Sequence, residues 1–217
     1  MSLQVKAVIF DMDGLIIDSE PLWRKAEISA FKEIGFHFTD EMCASTMGMR
    51  IDQVVAYWWN KLQWKSPSQS DLIENIINRM VHQINTVGEA MPGLEFAIDL
   101  LKKNNIPTAI ASSSSFLLIE TVVNKLKLKQ HFDVIHSAEN EQKGKPDPAV
   151  FLSTAKLLDV NPENCLVLED SKAGMEAGLN AKMRTVVIPE KGTNPEWSSR
   201  AFLKIDSLKD FKIEFLS

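Results

Sequence analysis

Five short apolar segments alternate with helical segments along most of this sequence, and this alternation constrains the fold more than any other feature. The segments are AVIFD (7–11), TAIASSSS (108–115), FDVIHSAE (132–139), CLVLED (165–170) and RTVVIP (184–189). Segments this short and rich in β-branched residues are typical of strands buried on both faces of a parallel sheet. The helical patterns between them would cover both faces. The sequence therefore predicts an α/β fold with a doubly wound parallel sheet.

One region interrupts the alternation. Residues 21–88 contain helical patterns and no convincing strand; one pattern repeats Leu22, Ala26 and Ala30, and a second apolar stripe runs over 71–84. The flanking segments IDSEP and EAMPG carry turn or helix-start residues, and in the predicted fold they lie close together. We therefore predict a core domain formed by residues 1–17 and 90–217, and an inserted all-helical cap domain formed by 18–89, hinged on two linkers.

Composition limits the partners of the chain. With 24 basic against 29 acidic residues, the net charge of -5 provides no basic surface for nucleic acid or an anionic membrane. Cys43 and Cys165 fit no C-x-x-C pattern, so we expect two free, buried cysteines and a reducing compartment. The first residues lack the apolar core of a signal peptide, and no apolar segment has the length of a bilayer span. We expect a cytoplasmic protein, and a monomer because the cap must open and close.

Polar residues follow the predicted strands at the edge where ligands bind in such sheets. They are Asp11, Asp13, Ser112 to Ser115, Glu169 and Asp170. Burying an unpaired carboxylate is costly, so Asp11 and Asp13 need a cation, hydrogen bonds or solvent. Lys145, in the polar loop KGKPDP, provides an ammonium group near them. Oxygen ligands favour Mg2+, and Mg2+ together with Lys145 would neutralise a phosphoryl group enough for a carboxylate to attack it. The pattern thus predicts a site for Mg2+ and phosphate.

DMDGL, IASSSS, KGKPDP and LEDS occur in the order and spacing of the four motifs of the haloacid dehalogenase superfamily. The chain resembles this superfamily over essentially its whole length, because the helical insert lies where the superfamily's first type of cap lies. The resemblance implies a Rossmann-like core that carries the site. It also implies that Asp11 is the nucleophile and that Asp13 is the general acid and base, which protonates the leaving oxygen and then activates water.

The same resemblance implies the remaining roles. Ser112, Ser113 and Lys145 would bind the phosphoryl group. The ligands of Mg2+ would be Asp11, the backbone carbonyl of Asp13 and the side chain of Asp170, with Glu169 assisting from behind these ligands.

Within the superfamily, DSEPLW (18–23), GMR (48–50) and WW (58–59) resemble bacterial sugar phosphatases of the 2-deoxyglucose-6-phosphatase type, which are close to β-phosphoglucomutase. The mutase carries a histidine in the first cap helix that delays attack by water. Trp23 stands at that position here, so we expect hydrolysis of a small sugar or sugar-alcohol phosphate. Glu20 and Arg50 are the candidate specificity residues of the cap; a guanidinium at 50 would suit a hydroxyl or phosphate of the leaving group.

Simpler or different interpretations stay open. Asp170 and Ser171 could merely cap the following helix, and serines 112 to 115 could begin another helix. A sugar phosphomutase would share the nucleophile, and Trp23 argues against it. A phosphoacceptor signalling domain also combines an aspartate, Mg2+, a hydroxyl and a lysine, but such domains are shorter and have no cap. A binding protein that has lost catalysis would lack the nucleophile or the acid.

Overall fold

The computed structural model describes residues 5–190 and 192–217. Six parallel strands form one sheet in the order β3, β2, β1, β4, β5, β6. The strands are β1 (Ala7–Phe10), β2 (Thr108–Ser112), β3 (Val134–Ser137), β4 (Cys165–Glu169), β5 (Arg184–Val187) and β6 (Leu203–Lys204). The helices are α1 (Glu20–Glu33), α2 (Asp40–Ala44), α3 (Ile51–Leu62), α4 (Gln69–Val87), α5 (Leu94–Lys103), α6 (Phe116–Lys125), α7 (Ala149–Leu157) and α8 (Lys172–Asn180). None of the helices in these two ranges has both the length and the apolar character needed to cross a bilayer.

The central strand β1 is buried on both of its faces. Val8 and Phe10 belong to one core cluster, which includes residues of α5 and α6, whereas Ala7 and Ile9 belong to a second cluster with residues of α7 and α8. Neighbouring strand residues point to opposite faces, so helices on both sides are needed to cover them. The predicted α/β fold with a doubly wound parallel sheet is confirmed. Strand β6 was not predicted, because two residues at a sheet edge are too short for a recognisable pattern.

The register of the three middle strands brings the polar motifs together. Phe10 of β1 pairs with Ile110 of β2 and with Leu168 of β4. All three strands run in the same direction, so the residues after these pairs leave the sheet at one edge. The site is built on that edge.

Helices α1 to α4 form the insert between β1 and α5. Leu72, Ile76, Met80 and Ile84 recur every four residues on α4 and are buried, and α4 packs against α1. At the end of α1, Phe31 stacks on Phe38 with 3.7 Å between ring centroids. The insert therefore has its own apolar packing.

The chain enters and leaves the insert at adjacent points. The backbone N–H of Asp18 donates to the carbonyl of Glu89 at 3.0 Å, and that of Met91 donates to the carbonyl of Ile16 at 2.9 Å. Ile17 and Ala90 form a β-bridge between the two crossings. The predicted proximity of the two flanking segments is confirmed.

Candidate active site

Four buried polar residues lie at the carboxyl edge of the sheet. Asp11 follows β1, Ser112 ends β2, Glu169 ends β4 and Asp170 follows it. Each is at most 5% exposed. Charged groups this deeply buried need partners, and the partners define the site.

The buried ammonium group of Lys145 joins two of these carboxylates. Its Nζ donates to Asp11 Oδ1, to Glu169 Oε1 at 2.7 Å and to the carbonyl of Ala111 at 3.3 Å. Burial lowers the pKa of Lys145, but the neighbouring Asp11 and Glu169 outweigh burial and raise it overall. Lys145 is therefore a fixed positive charge at the end of β1.

The carboxylates outnumber this one ammonium group. Asp11, Glu169 and Asp170 each place an oxygen within 4.8 Å of the others. Burial raises the pKa of Asp11 to about 8, with Lys145 opposing this rise and Glu169 and Asp13 adding to it. Burial, reinforced by Glu169 and Asp11, also raises the pKa of Asp170 well above its ordinary value. The three carboxyl groups exceed the single positive charge of Lys145, so these residues could hold a metal ion, and their oxygen donors suit Mg2+.

Both oxygens of Glu169 are already engaged. Oε1 accepts from Lys145, and Oε2 accepts from the backbone N–H of Asp170, from that of Ser171 and from the Ser171 hydroxyl, each at 3.0 Å. A Cβ on Gly174 would lie 1.6 Å from Oε1. These four donors and the close approach of Gly174 hold the Glu169 carboxylate in place.

Gly14 lies in the turn that follows β1, where the backbone passes close to the Asp170 side chain. Its φ is +71°, in the left-handed region that favours glycine, and a Cβ there would lie 2.1 Å from Asp170 Oδ2. The glycine therefore permits both the turn and the close approach of the Asp170 carboxylate.

Asp13 lies above the cluster and accepts hydrogen bonds from three side chains. Ser19 Oγ and Trp23 Nε1 donate to its Oδ1 at 2.7 and 2.8 Å, and Ser114 Oγ donates to its Oδ2 at 2.7 Å. The Ser112 hydroxyl is 3.5 Å from Oδ2. These donors fix the Asp13 carboxylate over the end of β1.

The serines of the second motif have different partners. Ser112 Oγ accepts from the backbone N–H of Ser114 at 3.0 Å, and Ser113 Oγ donates to the carbonyl of Gly48 in the insert at 3.0 Å. Ser115 immediately precedes α6, and its hydroxyl has no hydrogen-bond partner among the described residues. These serines begin a helix and also border the acidic cluster.

Of Asp170 and Ser171, the two residues that could cap the following helix, only Ser171 does so. Ser171 Oγ accepts from the backbone N–H of Gly174 at 3.0 Å and so caps α8. The Asp170 side chain instead joins the carboxylate cluster with Asp11 and Glu169.

A cleft between the sheet edge and the insert opens onto Asp11, Asp13 and Asp170. Helix α1 contributes Glu20 to its wall, where the sequence predicts this residue to lie. Burial raises the pKa of Glu20 to about 7, and the charge of Asp13 adds to the rise. Residues of the insert thus face the groups at the sheet edge.

Arg50, the other predicted specificity residue, is not among the residues that line this cleft in the structure. Its Nε and Nη2 donate to Asp52 at 2.6 and 2.8 Å, and its Nη1 donates to the carbonyls of Ala138 and Glu141, both at 2.7 Å. A planar guanidinium satisfied in this way joins the insert to the core and is not free for a leaving group.

Comparisons with known proteins agree with this geometry. Residues 8–188 match the family model of the haloacid dehalogenase-like hydrolases. The chain belongs to this family. It is 38% identical to hexitol phosphatase B of Escherichia coli (strain K12) over 188 residues, which cover 86% of this chain and 84% of that protein. It is 30% identical to a phosphorylated carbohydrates phosphatase of Thermotoga maritima over 186 residues, which cover 84% of each chain.

A solved structure extends the likeness to the whole fold. β-Phosphoglucomutase from Clostridium difficile matches with a TM-score of 0.84 at 29% identity, covering 98% of this chain and 95% of that one. The superfamily resemblance is confirmed, and the family match and the names of the two relatives confirm the prediction of a phosphatase.

In this haloacid dehalogenase-like hydrolase, sequence reasoning missed Ser19 and Glu27. It named Trp23 and Ser114 but not their hydrogen bonds to Asp13. A signal existed for Trp23 and Glu27: with Glu20 they recur at helical spacing and so share one stripe of α1.

Proposed function

We propose that this protein hydrolyses sugar or sugar-alcohol phosphates with the help of Mg2+, through an aspartyl-phosphate on Asp11. The observation that carries the proposal is the buried Lys145 between Asp11 and Glu169, with Asp170 beside them. Asp11 and Asp170 of this cluster line the cleft. The relatives are named for hexitol and carbohydrate phosphates, which supports this class of substrate.

The cleft lies between two units that we propose as domains, a core of residues 1–17 and 90–217 and a cap of residues 18–89. The adjacent crossings at Asp18 and Met91 support this division, because only two neighbouring chain segments connect the units. A cap connected in this way can open for substrate and close to exclude water.

In the first step, an Asp11 carboxylate oxygen attacks phosphorus and the bond from phosphorus to the ester oxygen breaks. Asp13 donates its proton to that oxygen, so the sugar leaves as a neutral alcohol. Lys145, already beside Asp11, together with Ser112 and Ser113, binds the phosphoryl oxygens.

In the second step, Asp13 takes a proton from water, and the water oxygen attacks phosphorus. The bond from phosphorus to Asp11 breaks, which releases inorganic phosphate and restores both carboxyl groups. The hydrogen bonds from Ser19, Trp23 and Ser114 place Asp13 for both transfers.

Asp11, the backbone carbonyl of Asp13 and the Asp170 side chain would hold Mg2+, with Glu169 orienting them. When bound, this ion supplies positive charge that neutralises the phosphoryl group during attack.

Hydrolysis is proposed over phosphomutase chemistry because of the Asp13 environment. Trp23 donates to Asp13 from the position where the mutase carries a histidine that delays water. The helical insert and Asp13 also argue against a phosphoacceptor signalling domain.

We further propose that the protein is a cytoplasmic monomer. Cys43 and Cys165 are both free and buried, which suits a reducing compartment. Sedimentation velocity of the purified protein tests the monomer, and a concentration-independent dimer would contradict it.

The test is phosphate release from a panel of sugar and sugar-alcohol phosphates, with Mg2+ and with EDTA. Asp11→Asn should lower the rate by about 10³-fold or more, and Asp99→Asn, an exposed position on α5, serves as the matched control. Full activity of Asp11→Asn would refute the mechanism. Interconversion of a sugar 1-phosphate and 6-phosphate without release would favour the mutase.

A further inference from the structure

The carboxyl group of Glu27 is a buried polar group that the proposed mechanism does not use. Glu27 lies on α1, is 6% exposed and lines the cleft that contains Asp11 and Asp13. Its Oε2 has no hydrogen-bond partner in the part of the chain that the structure describes. Buried polar atoms are nearly always paired, so an unpaired one beside a cleft indicates where a ligand completes the pairing.

The surroundings of Glu27 hold its side chain in place. Cys43, a free and buried cysteine on α2, lines the same cleft, and burial together with the neighbouring Glu27 raises the pKa of its thiol. Glu27 lies one helical turn beyond Trp23 and two turns beyond Glu20, so all three belong to one stripe of α1. Trp23 of this stripe donates to Asp13, and Glu27 lies one turn farther along the helix on the wall of the same cleft.

The rest of this wall is mostly apolar. It is formed by Met47, Met49, Ile51, Val54 and Leu118. Arg24 is the only lysine or arginine among the described residues that line the cleft, and it pairs with Glu190 of the core at 2.9 Å. A second anionic group on the substrate would therefore meet Glu20 and Glu27 without a free cation.

A hydroxyl group matches Glu27 in either protonation state. An ionised carboxylate accepts from the hydroxyl, and a protonated one can also donate to it. Burial raises the pKa of Glu27 to about 7, so both forms are present near neutral pH, and both can bind a hydroxyl.

We propose that Glu27 is a specificity-determining residue that hydrogen-bonds to a hydroxyl of the leaving alcohol, and that it selects neutral polyhydroxylated phosphate esters over esters whose leaving group carries a second anionic charge. The inference rests on the proposed function. It adds the residue that determines specificity and a preference for leaving groups without a second negative charge.

The experiment measures kcat/KM for glucitol 6-phosphate, phosphoglycolate and p-nitrophenyl phosphate with Mg2+. Glu27→Leu should lower kcat/KM for glucitol 6-phosphate by about 10- to 100-fold, because it leaves a hydroxyl unpaired. The value for p-nitrophenyl phosphate, whose leaving group has no aliphatic hydroxyl, should change by less than about 3-fold. Glu27→Gln keeps an acceptor but loses the charge, so it should raise the rate with phosphoglycolate relative to glucitol 6-phosphate.

Glu33→Gln is the matched control, because Glu33 is exposed on the same helix and pairs with Arg79 outside the cleft. Equal losses on all three esters, with Glu27→Gln as the isosteric check on folding, would overturn the inference and leave the proposed function intact. Wild-type protein that hydrolyses phosphoglycolate as well as glucitol 6-phosphate would do the same. Absence of phosphate release from every ester would overturn both.

Discussion

The buried polar side chains of the sheet edge and of the helical insert differ in how completely they are hydrogen-bonded. At the sheet edge, Lys145 bridges Asp11 and Glu169, and both oxygens of Glu169 have donors. In the insert, Glu27 keeps an oxygen without a partner in the described chain, while Arg50 is bound to the core. An edge held by Lys145 fixes the chemistry that all substrates share, and a partly unpaired wall leaves groups for one class of substrate.

Removing Lys145 should have the largest effect, because it breaks the paired edge. Lys145→Met leaves Asp11 and Glu169 buried without their ammonium, which should cost about 3–5 kcal/mol of unfolding free energy and lower the rate by about 10²–10³-fold or more. Urea unfolding and phosphate release measure the two effects. Lys103→Met, at an exposed site on α5, is the control, and a loss below about 1 kcal/mol at position 145 would show that the edge tolerates an unpaired carboxylate.

Gly14 and Gly35 separate backbone strain from damage to the site. Both have positive φ, +71° and +88°. A Cβ added at Gly14 would meet Asp170, whereas a Cβ added at Gly35 would have no atom of the described residues within 4 Å. Gly35→Ala should cost about 1 kcal/mol of stability without loss of activity. Gly14→Ala should in addition lower kcat/KM by about 10²-fold, because Asp170 must move. Equal activity of the two variants would contradict a tightly fitted edge.

Glu27 should make stability depend on pH. Its pKa rises from 4.5 to about 7 on folding, mainly through burial, so the folded chain binds this proton more tightly than the unfolded chain. The stabilisation is complete below about pH 4.5 and is lost as pH rises through about 7. Between pH 5 and pH 8, the free energy of unfolding of the wild type should fall by about 2–3 kcal/mol more than that of Glu27→Gln.

Urea unfolding at both pH values measures this difference, with Glu33→Gln as the exposed control on the same helix. A wild-type curve parallel to that of Glu27→Gln would mean that the Glu27 carboxyl is solvated in the folded protein.

Trp23 connects the insert to the edge, and its removal should have the smallest effect. Trp23→Phe keeps a ring but removes the donor to Asp13 Oδ1, while Ser19 and Ser114 still hold the carboxylate. The value of kcat for a sugar-alcohol phosphate should fall by about 10-fold, with little change for p-nitrophenyl phosphate, whose leaving group needs less acid.

Trp59→Phe loses an indole donor to the carbonyl of Trp64, a contact within the insert, and should leave both rates unchanged. Equal losses on the two esters in Trp23→Phe would contradict a role in placing the acid.

The edge could be predicted because strand ends are local. A buried apolar segment followed by Asp11, Ser112 or Asp170 leaves a parallel sheet at a known side, and the order of the motifs then brings these residues together. The contacts between the insert and the core cannot be predicted in this way. Arg50 donates to carbonyls at Ala138 and Glu141, and a pattern around residue 50 contains no information about how the insert is oriented against them.

Glu27 could have been found from the helical spacing alone. An acidic residue on the stripe that already contained Glu20 and Trp23 faces the same cleft. Its missing partner, however, depends on the packing of α1 against α2 and on the position of Cys43, and these are properties of the folded chain.

The central claim is that the phosphoryl group passes through Asp11. The most direct measurement is acid-quenched mass spectrometry of Asp13→Asn after mixing with p-nitrophenyl phosphate and Mg2+. This ester has a leaving group that needs little acid, so the first step can still proceed, and loss of the general base should let the intermediate accumulate. The account predicts a phosphoryl group on the peptide that contains Asp11, and its absence when Asp11→Asn is added to the same chain. Release of p-nitrophenol without a phosphorylated peptide, or a phosphoryl group on another residue, would contradict the account.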